Sequence, residues 1–419
     1  MEVFQYMTFL HNLSINALST GLVFGIGLIN QVLLANYLGA AGYGQLALWT
    51  NVALIAALVL GEWIRRGSTY IVGRENAAGA ARDNALLYAV LLAAITGLAA
   101  WVGRSALVGI LGEEVLVYWP LLALLTTCIV WQRSGQAVLL GLDQVRSYAL
   151  VPIVFIVCYM GGNILLWWTE VLQMSTVLCA FALAAALAAL AAFVLLWKHA
   201  GTFRWGNSAI LKRTLSVGSR GTVSVVLVFL LLKSDFFLLQ YFLGEAAVGT
   251  YRVAVNFADM MQRLPDVAGA VLLAKVVRSE DRSRLSLRVA RGVLVFSLGA
   301  ALFLLLLGPW IIGLLFPAYP ASYAPLAWML PGLVFLGFGS VLNTKLAGLG
   351  YPPVTQWAPA LAFATNAALN IYLIPRLGLE GAALATSLSY ALWATCITWA
   401  YMRAEALGWR DLFALKPTT

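Results

Sequence analysis

Residues 37–44 read YLGAAGYG, and 205 residues later residues 242–249 read FLGEAAVG, each time between long apolar stretches. A second set of matches recurs at a spacing of 207 residues. It consists of the pairs Gly141 and Gly348, Pro152 and Pro359, and Asn163 and Asn370. Glycine and proline specify particular backbone conformations, so their recurrence indicates an internal repeat more strongly than recurring leucine would. An internal repeat between membrane-spanning segments is typical of a transporter.

Composition predicts an integral membrane protein built of helices. Over 419 residues the chain is 62% hydrophobic and 10% charged, with a mean hydropathy of +0.89, which excludes a soluble domain. Apolar segments of about 20 residues are long enough to cross hydrocarbon as helices. The sequence contains twelve of them, so we predict an all-α fold with twelve transmembrane helices. The cysteines fall inside these segments without metal-ligand spacing, so no metal site is expected.

The basic residues predict the orientation of the chain. With twelve spans, 20 of the 26 lysines and arginines fall after even-numbered spans or in the C-terminal tail, and 2 fall in odd-numbered connections. By the positive-inside bias, both termini are predicted to be cytoplasmic. The first residues carry Glu2 and no Lys or Arg, which argues against a cleaved signal peptide. Six spans in each half give the halves the same orientation, as parallel repeats around a central cavity.

The predicted domain boundaries follow from this count. Residues 1–198 form an N-terminal six-helix bundle, and residues 199–214 form a polar, basic cytoplasmic linker. Residues 215–402 form the C-terminal six-helix bundle, and residues 403–419 form a cytoplasmic tail. The glycines of the two repeated stretches are expected to make tight turns between paired spans. These glycines are Gly39, Gly42, Gly44, Gly244 and Gly249.

Four basic residues remain, and all lie in the predicted spans seven and eight: Arg220, Lys233, Arg252 and Arg263. A charge in mid-bilayer is costly when it faces lipid, so such residues normally face a bundle interior or a wet cavity. On span eight, a polar stripe occupies an arc of roughly 80° at about 100° per residue. The stripe comprises Arg252, Asn256, Asp259, Arg263 and Asp266. It is interpreted either as a cavity wall or as a ladder of structural ion pairs.

Further polar residues mark other spans. Lys233 and Asp235 are two residues apart on span seven, so they point in different directions and cannot form one simple pair. At the 205-residue spacing Asp235 corresponds to Asn30, which shares a polar face of span one with Asn16. That face fits interhelical hydrogen bonding or substrate contact. Arg65 and Arg66 close span two, in reach of Glu62 at i+3 and i+4.

Three stretches resemble a known family. They are 38–44, 235–251 and 378–386, the last reading GLEGAALAT. They resemble the polysaccharide flippases of the MOP exporter superfamily, among which the Wzx-type O-antigen and capsule flippases are the nearest. The resemblance covers essentially the whole chain and implies two six-helix bundles that rock about a central cavity, as in multidrug and toxin extruders (MATE proteins).

The resemblance implies a flippase of the bacterial cytoplasmic (inner) membrane. Such a protein moves a polyprenyl-pyrophosphate-linked oligosaccharide from the cytoplasmic to the periplasmic leaflet, among membrane lipids and beside glycan polymerase and assembly proteins. No nucleic-acid partner, cofactor or enzymatic activity is expected, and the coupling ion is H⁺ or Na⁺. The resemblance implies pyrophosphate or acidic-sugar contacts at Arg220, Lys233, Arg252 and Arg263. The polar faces and the end of span two add further expected substrate contacts at Asn256, Asn16, Asn30, Arg65 and Arg66. The implied ion-coupling residues are Asp235, Asp259 and Asp266.

Two alternatives stay open at this stage. A MATE-type cation antiporter shares the fold and span count, but a cavity for cationic drugs should be acidic or aromatic. The embedded charges here are four basic against three acidic. A membrane-embedded glycosyltransferase or ligase generally needs a sizeable outward loop with acid, base or metal groups, whereas the outward connections here are short and almost uncharged.

Overall fold

The computed structural model of the protein describes residues 2–75, 77–200, 205–219, 221–276, 282–348 and 352–408. Within these ranges the chain is nearly all helical and contains no strand, which confirms the all-α prediction. It divides into two compact units, unit 1 (Met1–Thr222) and unit 2 (Val223–Thr419). The helices of unit 1 are α1 (Glu2–Glu75), α2 (Ala78–Leu111), α3 (Val115–Gly141), α4 (Val145–Trp168), α5 (Met174–Ala200) and α6 (Ser208–Ser219). Those of unit 2, the first beginning at the boundary residue, are α7 (Thr222–Lys233), α8 (Asp235–Leu243), α9 (Glu245–Val276), α10 (Arg282–Leu315), a short 3₁₀ helix (Pro320–Ser322), α11 (Tyr323–Gly348) and α12 (Val354–Ala404).

The lengths of these helices agree with the predicted number of spans. In the described residues, nine helical stretches are long and apolar enough to cross a membrane. Two of them, Leu18–Glu75 and Val354–Ala404, are long enough to cross twice, since a helix rises about 1.5 Å per residue and the hydrocarbon core is about 30 Å thick. Helix α9 has 32 residues, also a spanning length, although it carries several charges. Counting the long helices twice and adding α9 gives twelve segments.

Single glycines interrupt the two long helices. Gly39 breaks α1 with φ 68° and ψ 178°, and Gly378 breaks α12 with φ 61° and ψ −135°. Gly244, the counterpart of Gly39 in the repeat, ends α8 with φ 81° and ψ −178°. These angles belong to a region that only glycine occupies readily, because a Cβ would crowd the backbone. The repeated stretches therefore encode the same backbone break in both units.

The other glycines of the repeated stretches behave differently from the prediction. Gly42 and Gly44 lie inside α1, Gly249 lies inside α9, and none of the three has a positive φ. The prediction of tight turns was therefore wrong for these three residues. One residue in the glycine-only conformation is enough to redirect the chain, and the helix continues directly after it, since α9 begins at Glu245.

Small residues bring the helices of unit 1 together. Its core cluster draws on all of the first five helices and is rich in valine and alanine. The buried members are Val72, Ala78, Ala81, Val138, Leu139, Val151, Ala188, Ala192 and Leu196. Short side chains allow helix backbones to approach closely, which is how spanning helices associate where water supplies no hydrophobic driving force between them.

A helix replaces the second part of the predicted linker 199–214. Helix α6 packs on α1 so closely that a Cβ at Gly218 would lie 1.9 Å from the Trp63 carbonyl oxygen. At the facing position on α1, a Cβ on Gly67 would lie 2.0 Å from the Thr214 carbonyl oxygen. The two glycines therefore permit a contact that no other residue would allow. Residues 208–219 thus belong to unit 1, and the first helix of unit 2 begins at Thr222 rather than at 215.

The segment before α6 is also attached to unit 1. Asn84 Nδ2 on α2 donates to the Asn207 carbonyl oxygen at 3.0 Å, and the Asn207 backbone nitrogen donates to Asn84 Oδ1 at 2.9 Å. Arg213 on α6 adds an ion pair with Glu75 at 3.2 Å. Part of the predicted linker, residues 201–204, lies outside the described residues, as does most of the predicted tail.

Candidate functional site

A buried carboxylate follows Ser234, which separates two helices of one spanning segment of unit 2 but keeps helical dihedrals (φ −70°, ψ −25°). Helix α7 ends at Lys233 and α8 begins at Asp235, in the middle of the apolar stretch Thr222–Leu243. Asp235 is only 2% exposed. A carboxylate in apolar surroundings needs donors or a counter-ion, and ionisable residues inside spanning segments mark ion pathways in transporters. Asp235 is therefore the central residue of the candidate site.

Hydrogen-bond donors surround both oxygens of Asp235. Tyr251 Oη on α9 donates to Oδ2 at 2.5 Å, and Thr386 Oγ1 on α12 donates to the same oxygen at 3.3 Å. The backbone nitrogen of Phe236 donates to Oδ1 at 3.0 Å. The acid thereby joins α8, α9 and α12 in one polar cluster within the apolar interior of unit 2, as a buried polar group requires.

Two amides on α12 extend this cluster. Asn366 and Asn370 are fully buried and lie one helical turn apart, and Asn370 Nδ2 donates to Asn366 Oδ1 at 2.9 Å. Asn366 Nδ2 lies 3.5 Å from Thr386 Oγ1, a contact made across the break at Gly378. Asn370 Oδ1 is buried and has no hydrogen-bond partner among the described residues. A buried acceptor without a donor is unusual, and a bound ion is one of its explanations.

The cluster opens onto a small cavity in unit 2. Asp235, Asp259, Gln262, Thr386 and Tyr390 line it together with leucine, valine, alanine and methionine side chains. Among the described residues, no group of three or more His, Cys, Asp or Glu could hold a metal ion. Carboxylate, amide and hydroxyl oxygens are instead the ligands of hard cations. The polar side of the cavity therefore suits a small hard cation.

A cationic group borders the cluster. Lys233 Nζ forms an ion pair with Asp259 at 3.2 Å, and the two side chains are 12% and 43% exposed. This agrees with the prediction that Lys233 and Asp235 do not form one simple pair. The ammonium group also lies 5.9 Å from the centre of the Phe236 ring, and the guanidinium carbon of Arg252 lies 6.0 Å from the same centre. Both distances suit a cation–π contact.

The predicted stripe of α9 does not share one environment. Asn256 is 4% exposed, whereas Arg263 and Asp266 are exposed. Lys233 on α7 supplies the ion-pair partner of Asp259, so the stripe is tied to a neighbouring helix at its middle. A substrate contact by Asn256 would need a conformation in which that amide is uncovered.

The predicted polar residues of span one have different contacts. Asn30 is 1% exposed and its Oδ1 accepts a hydrogen bond from Asn163 Nδ2 on α4 at 2.9 Å. Asn163 Oδ1 is itself buried without a partner among the described residues. Asn16 is half-buried, and its backbone carbonyl accepts from the Thr20 hydroxyl at 2.8 Å. The Asn30 contact fits the interhelical interpretation of span one, whereas the bond to the Asn16 carbonyl lies within α1.

The arginines of span two meet as the sequence predicts. Glu62 is 2% exposed and accepts from both Arg65 and Arg66. Arg65 Nε lies 2.7 Å from Glu62 Oε2, Arg66 Nε lies 2.8 Å from Oε1, and a second Arg65 nitrogen also bonds Oε1. Two cations therefore share one buried carboxylate at the end of this span. Arg220, the remaining predicted contact, lies outside the described residues.

Comparisons with known proteins place the chain in a family. Residues 9–273, more than half of the chain, match the family described as "Polysaccharide biosynthesis protein". The chain is also 32% identical over 161 residues to an uncharacterized membrane protein of Methanocaldococcus jannaschii. That alignment covers 36% of this chain and 32% of the relative, so the chain spans only about a third of the relative that it matches.

Solved structures show the fold. An inward-facing multidrug resistance MATE transporter of the MOP superfamily matches with a TM-score of 0.75, 16% identity, and coverage of 93% of this chain and 96% of that one. The lipid II flippase MurJ in an inward closed conformation matches with a TM-score of 0.76, 16% identity, and coverage of 95% and 88%. A MOP superfamily transporter from Pyrococcus furiosus, titled for the reverse polarity of its binding pocket, matches with a TM-score of 0.64, 16% identity and 94% coverage of both chains.

These matches and the helical architecture define a multi-pass membrane protein with the all-α fold of MOP-superfamily transporters. Within that class, the chain belongs to the polysaccharide biosynthesis protein family.

Proposed function

We propose that this protein is a flippase for a polyprenyl-pyrophosphate-linked oligosaccharide, such as an O-antigen or capsule repeat unit. It carries this lipid-linked glycan from the cytoplasmic to the periplasmic leaflet of the bacterial inner membrane by alternating access, with both termini in the cytoplasm. A sugar headgroup with a pyrophosphate is large, polar and anionic, so hydrocarbon presents it with a high desolvation cost. Cationic and polar side chains of the protein replace the lost hydration.

Family membership supports the substrate class, and the charges support its anionic headgroup. Arg252 and Lys233 both lie near the Phe236 ring in unit 2, and Arg65 and Arg66 share one carboxylate in unit 1. Among the described residues, no carboxylate lies within 4 Å of the Arg252 guanidinium. Arginine binds phosphate oxygens through two parallel hydrogen bonds, which suits a pyrophosphate.

The buried cluster around Asp235 is the observation that supports an ion gradient as the driving force for transport. The Asp235 carboxylate and the Thr386 hydroxyl that donates to it lie on one small cavity, where Asp259, Gln262 and Tyr390 supply further oxygens. The unpartnered Asn370 oxygen lies further along the same hydrogen-bond chain, beyond Asn366. A set of several oxygens favours Na⁺, since a proton needs only one acceptor. In this proposal Na⁺ binds at Asp235, and its gradient supplies the driving force for the transport cycle.

Leaflet-specific labelling of the lipid-linked glycan in cells tests the substrate. When Arg252→Ala replaces the wild-type protein at equal abundance, we expect the glycan to remain in the cytoplasmic leaflet. Arg376→Ala is the matched control, because Arg376 also lies over an aromatic ring, that of Tyr372, but outside the site. Normal periplasmic delivery by both Arg252→Ala and Arg263→Ala would contradict the proposed anion contacts. Uptake of an organic cation by proteoliposomes, without glycan movement, would favour the antiporter alternative.

A further inference from the structure

The ion pair between Lys233 and Asp259 joins a group that attracts the anionic headgroup to a group that attracts Na⁺. These are the two charged ligands of the proposed function. Lys233 Nζ lies 3.3 Å from Oδ1 and 3.2 Å from Oδ2 of Asp259, so it faces both carboxylate oxygens. The lysine is 12% exposed and the acid is 43% exposed. The pair is therefore accessible from outside unit 2, and a soluble or headgroup anion can compete with the carboxylate for the ammonium group.

Asp259 also belongs to the cavity beside the buried acid. Its side chain and those of Asp235, Thr386 and Tyr390 line the same space. While Lys233 neutralises Asp259, that carboxylate contributes little attraction to a cation in the cavity, because opposite charges a few Å apart largely cancel at a distance. Release of the lysine would leave two carboxylates facing the space.

The cationic side of the pair is suited to an anion. Lys233 and Arg252 both lie about 6 Å from the Phe236 ring, so they are held on the same aromatic side chain. Asp259 is the ion-pair partner of Lys233, and none is found for Arg252 among the described residues. A pyrophosphate carries more negative charge than one carboxylate and has enough oxygens to accept from more than one cation.

We propose that exchange of Lys233 between Asp259 and the pyrophosphate of the substrate couples substrate binding to cation binding. This inference rests on the proposed function. When the anion takes Lys233 together with Arg252, Asp259 becomes a second carboxylate for Na⁺ beside Asp235. The anion therefore raises the affinity for Na⁺, and by thermodynamic reciprocity Na⁺ raises the affinity for the anion by the same factor.

Binding of radioactive Na⁺ to the purified full-length protein in lipid nanodiscs tests the exchange. The measurement is made with and without potassium pyrophosphate, at ionic strength matched by potassium chloride. For the wild type we expect pyrophosphate to tighten Na⁺ binding by about 5-fold or more, a typical coupling between two sites. The reciprocal measurement, pyrophosphate affinity in Na⁺ against K⁺, should give the same factor and needs no variant.

Three variants separate the exchange from other effects. Lys233→Met frees Asp259 permanently, so it should bind Na⁺ tightly without pyrophosphate and respond no further to it. Asp259→Asn should bind Na⁺ more weakly than the wild type and should also be insensitive to pyrophosphate. Arg376→Ala, the control outside the site, should keep the wild-type response.

The outcomes distinguish this inference from the proposed function. Wild-type protein that binds Na⁺ with an affinity independent of pyrophosphate would overturn the exchange and leave the cation site at Asp235 standing. A pyrophosphate response that survives in Asp259→Asn would also overturn it. Absence of any Na⁺ binding by the wild type would reject both the exchange and the sodium-coupled part of the proposed function.

Discussion

The two units place different chemistry at equivalent positions of the repeat. Asn30 in unit 1 corresponds to Asp235 in unit 2, and Asn163 corresponds to Asn370. In unit 1 the two equivalent residues bond each other, with Asn163 donating to Asn30 at 2.9 Å. In unit 2 Asn370 donates instead to Asn366, and the acid accepts from two hydroxyl groups. A repeated backbone thus holds an amide pair in one unit and a charged cluster in the other.

An unpartnered amide oxygen is common to both units, so it does not distinguish the amide pair of unit 1 from the charged cluster of unit 2. Both Asn163 Oδ1 and Asn370 Oδ1 are buried without a hydrogen-bond partner among the described residues. The difference is the carboxylate and its donors: at the positions equivalent to Tyr251 and Thr386, unit 1 has Leu46 and Cys179. The repeat supplies a backbone with a shared glycine break, and a small number of substitutions distinguish the copy that holds the proposed cation site.

Exchanging the acid into unit 1 should have the largest effect. Asn30→Asp would place a carboxylate at a position that is 1% exposed, with the Asn163 amide as its hydrogen-bond donor. An uncompensated buried charge costs about 3–5 kcal/mol. We expect a corresponding loss in the free energy of unfolding, measured by denaturant titration in detergent micelles.

Asn30→Ala is the control for that experiment, because it removes the same hydrogen bond without adding charge. We expect it to lose only about 1–3 kcal/mol. Equal stability of Asn30→Asp and the wild type in Na⁺, lost when K⁺ replaces Na⁺, would show that unit 1 can also hold a cation. Both units would then be able to bind a cation, and they would differ only in whether the wild-type residues bind one.

The reverse exchange in unit 2 should have a smaller effect on folding and a specific effect on binding. Asp235→Asn keeps an acceptor for the Tyr251 and Thr386 hydroxyl groups, which now bond the carboxylate at 2.5 Å and 3.3 Å, but it removes the negative charge. We expect Na⁺ affinity to fall by on the order of 100-fold, since charged hydrogen-bonded and ionic contacts are worth about 1.5–3 kcal/mol each. Calorimetric titration with Na⁺ measures the change.

Two observations decide how that result is interpreted. The thermal midpoint of Asp235→Asn should stay near that of the wild type in Na⁺-free buffer, which establishes that the cluster still folds. If Asp235→Asn binds Na⁺ as tightly as the wild type, the acid is a structural residue like Asn30. The distinction between the two units would then disappear.

The sequence predicted the backbone features of this site better than the set of side chains that form it. Period and spacing locate Asp235 and the glycines of the repeat, because glycine at a backbone break and an acid in an apolar span are both local signals. Tyr251 and Thr386 were missed because nothing local distinguishes a tyrosine or threonine that bonds a distant carboxylate from one that packs. Asn370 was available as a repeat match to Asn163, but its unpartnered oxygen is visible only in three dimensions.

The sequence also could not predict which side chains contact each other across neighbouring helices. The stripe on α9 is real as a helix face, yet its members differ in burial, since Asn256 is buried, Asp259 pairs with Lys233 of α7, and Arg263 is exposed. The linker helix was missed for a related reason. In the sequence, Gly67 and Gly218 look like ordinary small residues. In the structure, their helices are in contact, and each glycine leaves room for the backbone of the other helix.

The smallest predicted effect concerns the backbone break that the two units share. At both Gly39 and Gly244 a built Cβ has nothing within 4 Å, so substitution by alanine causes no clash and its cost is conformational. With φ at 68° and 81°, Gly39→Ala and Gly244→Ala should each lose about 1–3 kcal/mol in the free energy of unfolding. Gly103→Ala and Gly299→Ala, which also have open space but lie inside helices without positive φ, should instead stabilise by about 0.5–1 kcal/mol. A clearly unequal loss at Gly39 and Gly244 would mean that the break is adapted separately in each unit rather than repeated.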